Sequence, residues 1–390
     1  MIKTYMAHTG EVDDIEAALE EIGGQLESCQ LLTHSVAILH CYADFVDSGV
    51  YEAVCKTLPC DVVGTTTMLS AVEGAQQEIA LSLTVLTSDE VCFATGISEQ
   101  ITGEDKAPLR DAYQKALTQL SGPPVLALSY VPLLMNVGGD DFVMAFNEVS
   151  GGIPNFGTIA VDHNDDYHEA AVLYNGAAFR DRYAFVLLSG ELKPRFYVAN
   201  ISNEKVFREK GVVTASKGNQ LQTVNDRPVV DYLVSLGLRK NEDGSITGIN
   251  SFPFIMDQND GMMPVVRAVF ALTPEGHAVC GGNVPVGATL SVGTIDATSV
   301  LEITEERISQ ALAAEPKPDV MLMYSCVGRY FSLGYNPTSE VEKMKELLGE
   351  ANIPYHFAYS GCELCPVYAS NGKEVTVNRS HNDTLVICAL

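Results

Sequence analysis

Short apolar runs alternating with helical patterns fill the first 120 residues, and this alternation confines the chain to layered mixtures of sheet and helix. Residues 13–26 predict an acidic amphipathic helix, 36–41 a buried strand, 49–58 a helix and 61–63 a short strand. Residues 79–86 and 91–95 predict neighbouring strands. Across 104–120, Leu109, Ala112, Tyr113, Ala116, Leu117 and Leu120 recur at helical spacing. Gly122-Pro123-Pro124 stops that helix, and 125–128 begins a new strand.

A similar passage follows. It predicts a helix at 140–149, strands at 157–161 and 170–174, and a hairpin turn at Asn175-Gly176. After a boundary near 219–226 come a helix at 228–236, closed by Gly237, and antiparallel strands at 265–272, 277–280 and 288–292. The last part predicts a helix at 298–313, strands at 320–324, 355–359 and 384–390, and a helix at 339–348. The pattern is α/β to α+β, in two lobes (1–222 and 223–390) of mixed sheets flanked by helices, with no short repeat.

Charge narrows the partners. Fifty acidic against 24 basic residues give a net charge of −26, which repels nucleic acid and anionic lipid alike. The first residues lack the apolar core of a signal peptide, and no run approaches the ~18 apolar residues of a membrane span. The expectation is a cytoplasmic protein whose ten cysteines are reduced and packed as small hydrophobes.

The apolar strand at 320–324 ends abruptly in Ser325-Cys326-Val327-Gly328-Arg329, and such strand ends are where α/β sheets hold ligands. Downstream stand Tyr359-Ser360-Gly361-Cys362-Glu363-Leu364-Cys365-Pro366 and Ser380-His381-Asn382-Asp383-Thr384. This order resembles the C-terminal half of FIST-domain proteins, a family of intracellular signal-sensing modules. The resemblance extends to Cys60-Asp61-Val62-Val63-Gly64-Thr65, to Val172-Leu173-Tyr174-Asn175-Gly176 and to the passage from Val213 to Pro228. One departure stands out: Cys362 and Cys365 occupy positions where the family usually has glycine.

The resemblance implies a small-molecule sensor rather than an enzyme. Its signalling output, a kinase, cyclase or chemoreceptor, would be a separate protein. Cys326 and Arg329 would line a pocket for a carboxylate, which the planar guanidinium fork suits; the plain alternative is a core cysteine with a surface arginine. Glu363 would accept from a ligand amine, so that an amino acid or another carboxylated metabolite would fit, or else it pairs with a nearby cation. His381 and Asn382 would contact the ligand or cap a turn. Arg267 and Asn219 join this set more loosely.

Cys362 and Cys365 have CxxC spacing, open to redox or zinc chemistry or to two small residues in a tight turn. Pro366 and the β-like residues after it argue against the helix that a redox dithiol needs. Asp162-His163-Asn164-Asp165-Asp166 starts like a calcium loop but lacks the glycine and the closing glutamate, which leaves a solvated acidic turn. No phosphate-loop, dinucleotide, metalloprotease or serine-hydrolase motif appears. Two alternatives stay open: a haem sensor using a histidine or Cys365 as axial ligand, and an enzyme with Cys326 as nucleophile and His381 or His356 as base.

Overall fold

The strand His34–Cys41 is buried along most of its length because it is paired on both sides. It runs parallel to Asp61–Thr66 and antiparallel to Leu81–Ser88, which pairs in turn with Lys3–Thr9. In this computed structural model, which describes residues 1–75, 79–101, 106–134, 137–164, 166–242 and 244–390, the same pairing occurs three times. In the second unit Pro124–Val131 lies parallel to Asn155–Ile159 and antiparallel to Ala184–Ser189, whose other neighbour is Cys92–Ile97. In the third, Met321–Cys326 lies parallel to Tyr355–Ser360 and antiparallel to Leu385–Ala389, whose other neighbour is Arg195–Ala199.

Each unit also lends a strand to another. Val172–Tyr174 of the second pairs with Asp61–Thr66 of the first, and Glu363–Tyr368 of the third pairs with Asn155–Ile159 of the second. Ser70–Val72 of the first pairs with Tyr355–Ser360 of the third. The exchange closes a ring. Inside it, Ile38, Val63, Leu128, Phe156, Leu322 and Ala358 belong to one core built from all three sheets. What repeats is chiefly hydrogen-bonding order rather than side chains.

The helices cover the outer faces. Ile15–Gln25 starts where the Asp14 carboxylate accepts the Ala17 N–H at 3.0 Å, and Ala18 and Ile22 turn into the core. Ala107–Leu117 buries Leu109, Ala112, Tyr113 and Ala116, as its periodicity predicts; the expected start at 104 lies outside the described residues. Asp296 and Ser299 form a reciprocal cap on Ala297–Ala313. Asn352, in the left-handed conformation (φ 54°), ends Ser339–Ala351.

Between Arg195–Ala199 and Ala297–Ala313 the chain builds a second lobe. Val206–Lys217, Gln220–Val224, Phe254–Asp257, Ala278–Cys280 and Thr289–Gly293 form an antiparallel sheet over its own core, which includes Leu221, Phe254 and Leu290. The single strand expected at 265–272 is two. Val265–Arg267 pairs with Phe254–Asp257 and Val269–Leu272 pairs with Ala278–Cys280, so one sheet edge continues into the other through Ala268. The sheet therefore wraps around its core.

The protein is thus an α+β, two-lobed fold of mixed sheets with flanking helices. The first lobe is not one continuous stretch, since Arg195–Ala199 pairs with Leu385–Ala389 on the far side of the second lobe in the chain. Among the described residues no helix is long and apolar enough to cross a membrane. All ten cysteines are free and eight are buried.

Candidate functional site

The ends of the three parallel strand pairs are tied together by backbone. Tyr359 N–H donates to Leu69 O at 3.0 Å, Ile159 N–H to Cys362 O at 3.0 Å and Gly361 N–H to Ile159 O at 3.0 Å. Thr67 Oγ1 adds a bond to Tyr359 O at 2.8 Å. Just beneath this ring the inner face turns polar. Register partners share a face of a sheet. His40 therefore lies level with Ser82 and Thr65, Tyr130 with Thr158, Thr158 with Glu363, and Glu363 with His381. Tyr324 lies level with Ala358 and Ala358 with Ser70. The His40 ring stands 5.9 Å from that of Tyr130 and 5.4 Å from that of Tyr324, which makes a continuous belt across the units.

Every polar member of this belt is buried. Buried polar groups normally find partners, and some here do: His40 Nδ1 meets His356 Nε2 at 2.7 Å, and His356 Nδ1 meets Thr84 Oγ1 at 2.7 Å. Others do not. His40 Nε2, Thr65 Oγ1, the Tyr130 and Tyr324 hydroxyls, both Glu363 oxygens and His381 Nδ1 lack a hydrogen-bond partner, as do Asn382 Oδ1 and Asp383 Oδ2 in the adjoining turn. The two tyrosine hydroxyls lie beside each other, each shifting the other's proton affinity, and neither meets another polar group. Among the described residues, nine of the thirteen unpartnered buried side-chain atoms fall in the belt or this turn, so they gather in one place rather than scatter through the core.

Electrostatics sharpen the picture. Burial, and then the neighbouring Asp383, push the Glu363 carboxyl well above the usual range. Burial pushes Asp383 up to about 7, with Arg329 opposing. Arg329, the Glu363 N–H and Ser360, whose hydroxyl is committed to Cys362 O at 2.7 Å, oppose the rise at Glu363 without cancelling it. Burial lowers His381 to about 4. Its Nε2 sits 3.1 Å from the Cys365 carbonyl, so Nε2 carries the proton and Nδ1 is left as an acceptor. Burial, then Glu363 and Asp383, raise the Cys326 thiol, while the Gly328 and Asp383 N–H groups oppose them. It is a thiol at neutral pH and a weak nucleophile. Gly328 lies close against the Asp383 carboxyl: a Cβ there would sit 2.0 Å from Asp383 Oδ1 and would have to displace it.

The expected site residues divide. The structure brings Cys326, Glu363 and His381 into the belt region. Asn382 adjoins it, pressed against Gly281 of the second lobe. Arg329 stands behind it with its fork already occupied: Nη2 lies 2.6 Å from Glu340 Oε1 and 2.6 Å from Thr304 Oγ1, Nε reaches Glu340 at 3.1 Å, and Nη1 reaches Ala199 O at 3.4 Å. Arg267 is likewise held by Asp140 at 2.9 Å and Ser380 O at 3.0 Å. Asn219 closes a turn of the second lobe by donating to Cys280 O at 3.0 Å.

Cys362 and Cys365 lie three residues apart on extended chain and face opposite sides, Cys362 packing with Val143 and Phe146 and Cys365 with the inner core. They are not a dithiol pair. Among the described residues, no three metal-ligating side chains cluster. The two candidate bases are engaged as well, His356 through both nitrogens and His381 through Nε2. Asp162 is buried rather than solvated; its carboxylate accepts the Asn164 and Glu169 N–H groups at 2.6 Å each, and Asp165 lies outside the described residues.

His40, Tyr130, Tyr324, Thr65 and Asp383 were missed. A signal existed for three of them: Val36-x-Ile38-x-His40, Leu126-x-Leu128-x-Tyr130 and Val320-x-Leu322-x-Tyr324 share one alternation, each ending in a polar ring.

No curated protein sequence matches the chain. Among solved structures, a cyanuric acid hydrolase from A. caulinodans is 9% identical, with 100% of this chain and 99% of that one covered at a TM-score of 0.38. PurL of T. maritima complexed with ATP is 10% identical, with 99% and 70% covered at 0.19. Scores this low carry no argument about fold or activity. The FIST N domain model matches residues 35–227 and the FIST C domain model residues 229–366, so the chain belongs to the FIST family of sensory and signal-transduction domains.

Proposed function

We propose that this protein senses a small molecule bound at the belt, and that the ligand presents a cationic N–H donor, an ammonium or guanidinium, to Glu363, Asp383 and His381. The observation that carries this reading is Glu363: a fully buried carboxyl with neither oxygen partnered. Asp383 Oδ2 and His381 Nδ1 add two more free acceptors. A donor-rich cation complements all of them and favours the ionised carboxylate, so binding would release a proton. A carboxylated ligand such as an amino acid would place its acceptor end on the Tyr130 and Tyr324 hydroxyls. It would not use Arg329, which already grips Glu340.

The output would pass to a separate signalling protein in the cytoplasm. Arg267 supports such coupling, since it joins Ser380 O, beside His381, to Asn283 O of the second lobe. The raised Cys326 thiol supports a non-catalytic role.

A thermal-shift series over amino acids, simple amines and simple carboxylates tests the reading. Amines at ~100 times their dissociation constant should add about 2.7 kcal/mol of stability. Glu363→Gln should weaken that binding by about tenfold or more. Stabilisation by amine-free carboxylates, with the Glu363→Gln variant unaffected, would sink it.

A further inference from the structure

We propose a second ligand site, for a small monocarboxylate with a flat apolar body, in the groove between the lobes at Arg195. This groove encloses about 420 Å³, within the size range of small-molecule sites. Tyr197 and Tyr368 form walls on the first lobe, and Met263, 48% exposed, forms the lip on the second. Two guanidiniums line it. Arg195 is fixed at one nitrogen by the Pro316 carbonyl, while its Nη1 is buried without a partner. Arg307 is held at the wall by Val198 O at 3.1 Å and Gln310 at 3.1 Å, and its Nη1 is ion-paired with Glu306 at 2.7 Å.

In a chain of net charge −26, Arg195 is, among the described residues lining the groove, the cation that no carboxylate pairs with. Glu374 is the one carboxylate among the lining residues, and it disfavours a dianion more than a monoanion. An unpartnered buried guanidinium nitrogen calls for an anionic acceptor. The tyrosine faces and Met263 suit a planar or acyl body. The groove continues past Arg195 and Tyr368 into a wider open one of about 1130 Å³, which leaves room for a tail. This site is independent of the ligand at Glu363.

Titration calorimetry of the full chain with 1-naphthoate, 1-naphthyl phosphate and neutral 1-naphthalenemethanol tests it. The carboxylate should bind with one-to-one stoichiometry, and the phosphate more weakly. The alcohol should bind about tenfold more weakly or worse. Arg195→Gln should cost about tenfold in naphthoate affinity, and Met263→Glu, at the exposed lip where folding is not at stake, a similar factor. The proposal falls if naphthoate does not bind saturably, if the alcohol or the phosphate binds as tightly, or if both variants bind naphthoate unchanged.

Discussion

Two buried polar clusters lie on opposite faces of the strand Met321–Cys326 and are built from similar residues, yet they differ in one respect. On the Ser325 side, Arg329, Glu340, Thr304 and Tyr359 satisfy one another: Glu340 Oε2 accepts from Ser325 at 2.8 Å and Tyr359 at 3.2 Å, while Oε1 holds the guanidinium. On the Cys326 side, Glu363, Asp383 and His381 present acceptors that nothing in the chain fills. A polar cluster that closes on itself is a brace between elements, here between Ala297–Ala313, Val327–Ser332 and Ser339–Ala351. One that stays open is where, on the proposed reading, a ligand would supply the partners. Residue type alone would have ranked Arg329 above Asp383 as a ligand contact. Hydrogen-bond bookkeeping reverses the order.

The largest expected effect breaks the closed cluster. Glu340→Ala leaves a buried guanidinium uncompensated and should cost about 3–5 kcal/mol in urea unfolding. If Arg329→Ala instead leaves stability intact and removes ligand binding, the two clusters have exchanged roles and the comparison fails.

Next in size is the pH response of the open cluster. The folded-state pKa of Asp383, about 7, lies above its ordinary value of 3.8, so the folded protein binds more protons than the unfolded chain between these limits. Its contribution to stability is therefore greatest below pH ~4 and is lost as pH rises towards 7. Asp383→Asn should flatten this fall, which for one proton approaches about 1.4 kcal/mol per pH unit. His381, lowered to about 4, acts with the opposite sign, favouring the folded state as pH rises from ~4 to ~6.5. An unchanged pH–stability profile in Asp383→Asn would show the carboxyl to be solvated.

The smallest effect is kinetic. At about pH 7, Cys326 should alkylate more slowly than the half-buried Cys29, because its thiolate is disfavoured by burial and by two carboxyls. Faster labelling of Cys326 would return the nucleophile reading to contention.

Much of the local structure was legible. The helices Ile15–Gln25 and Ala297–Ala313 follow from their apolar spacing, and the hairpin at Asn175-Gly176 from its turn chemistry. Glu363, read as a site acid, carries unpartnered oxygens, and the strand end at Ser325-Cys326 lies beside it. Arg329 is not free for a ligand because Glu340, on the helix Ser339–Ala351, already holds it. Asp162 misled, since its burial depends on a loop folding back over it.

What the sequence determined by itself is everything governed by near neighbours: which segments are helix or strand, where they turn, and that a polar turn follows an apolar strand. Three things were decided by the tertiary structure alone. These are the three-unit ring, the levelling of His40, Tyr130, Tyr324 and Glu363 in one belt, and which buried charges find partners. The reason is that strand exchange and cross-strand register join residues as far apart as Ser70 and Ala358. Whether a polar atom is satisfied depends on what packs against it, not on what precedes it in the chain.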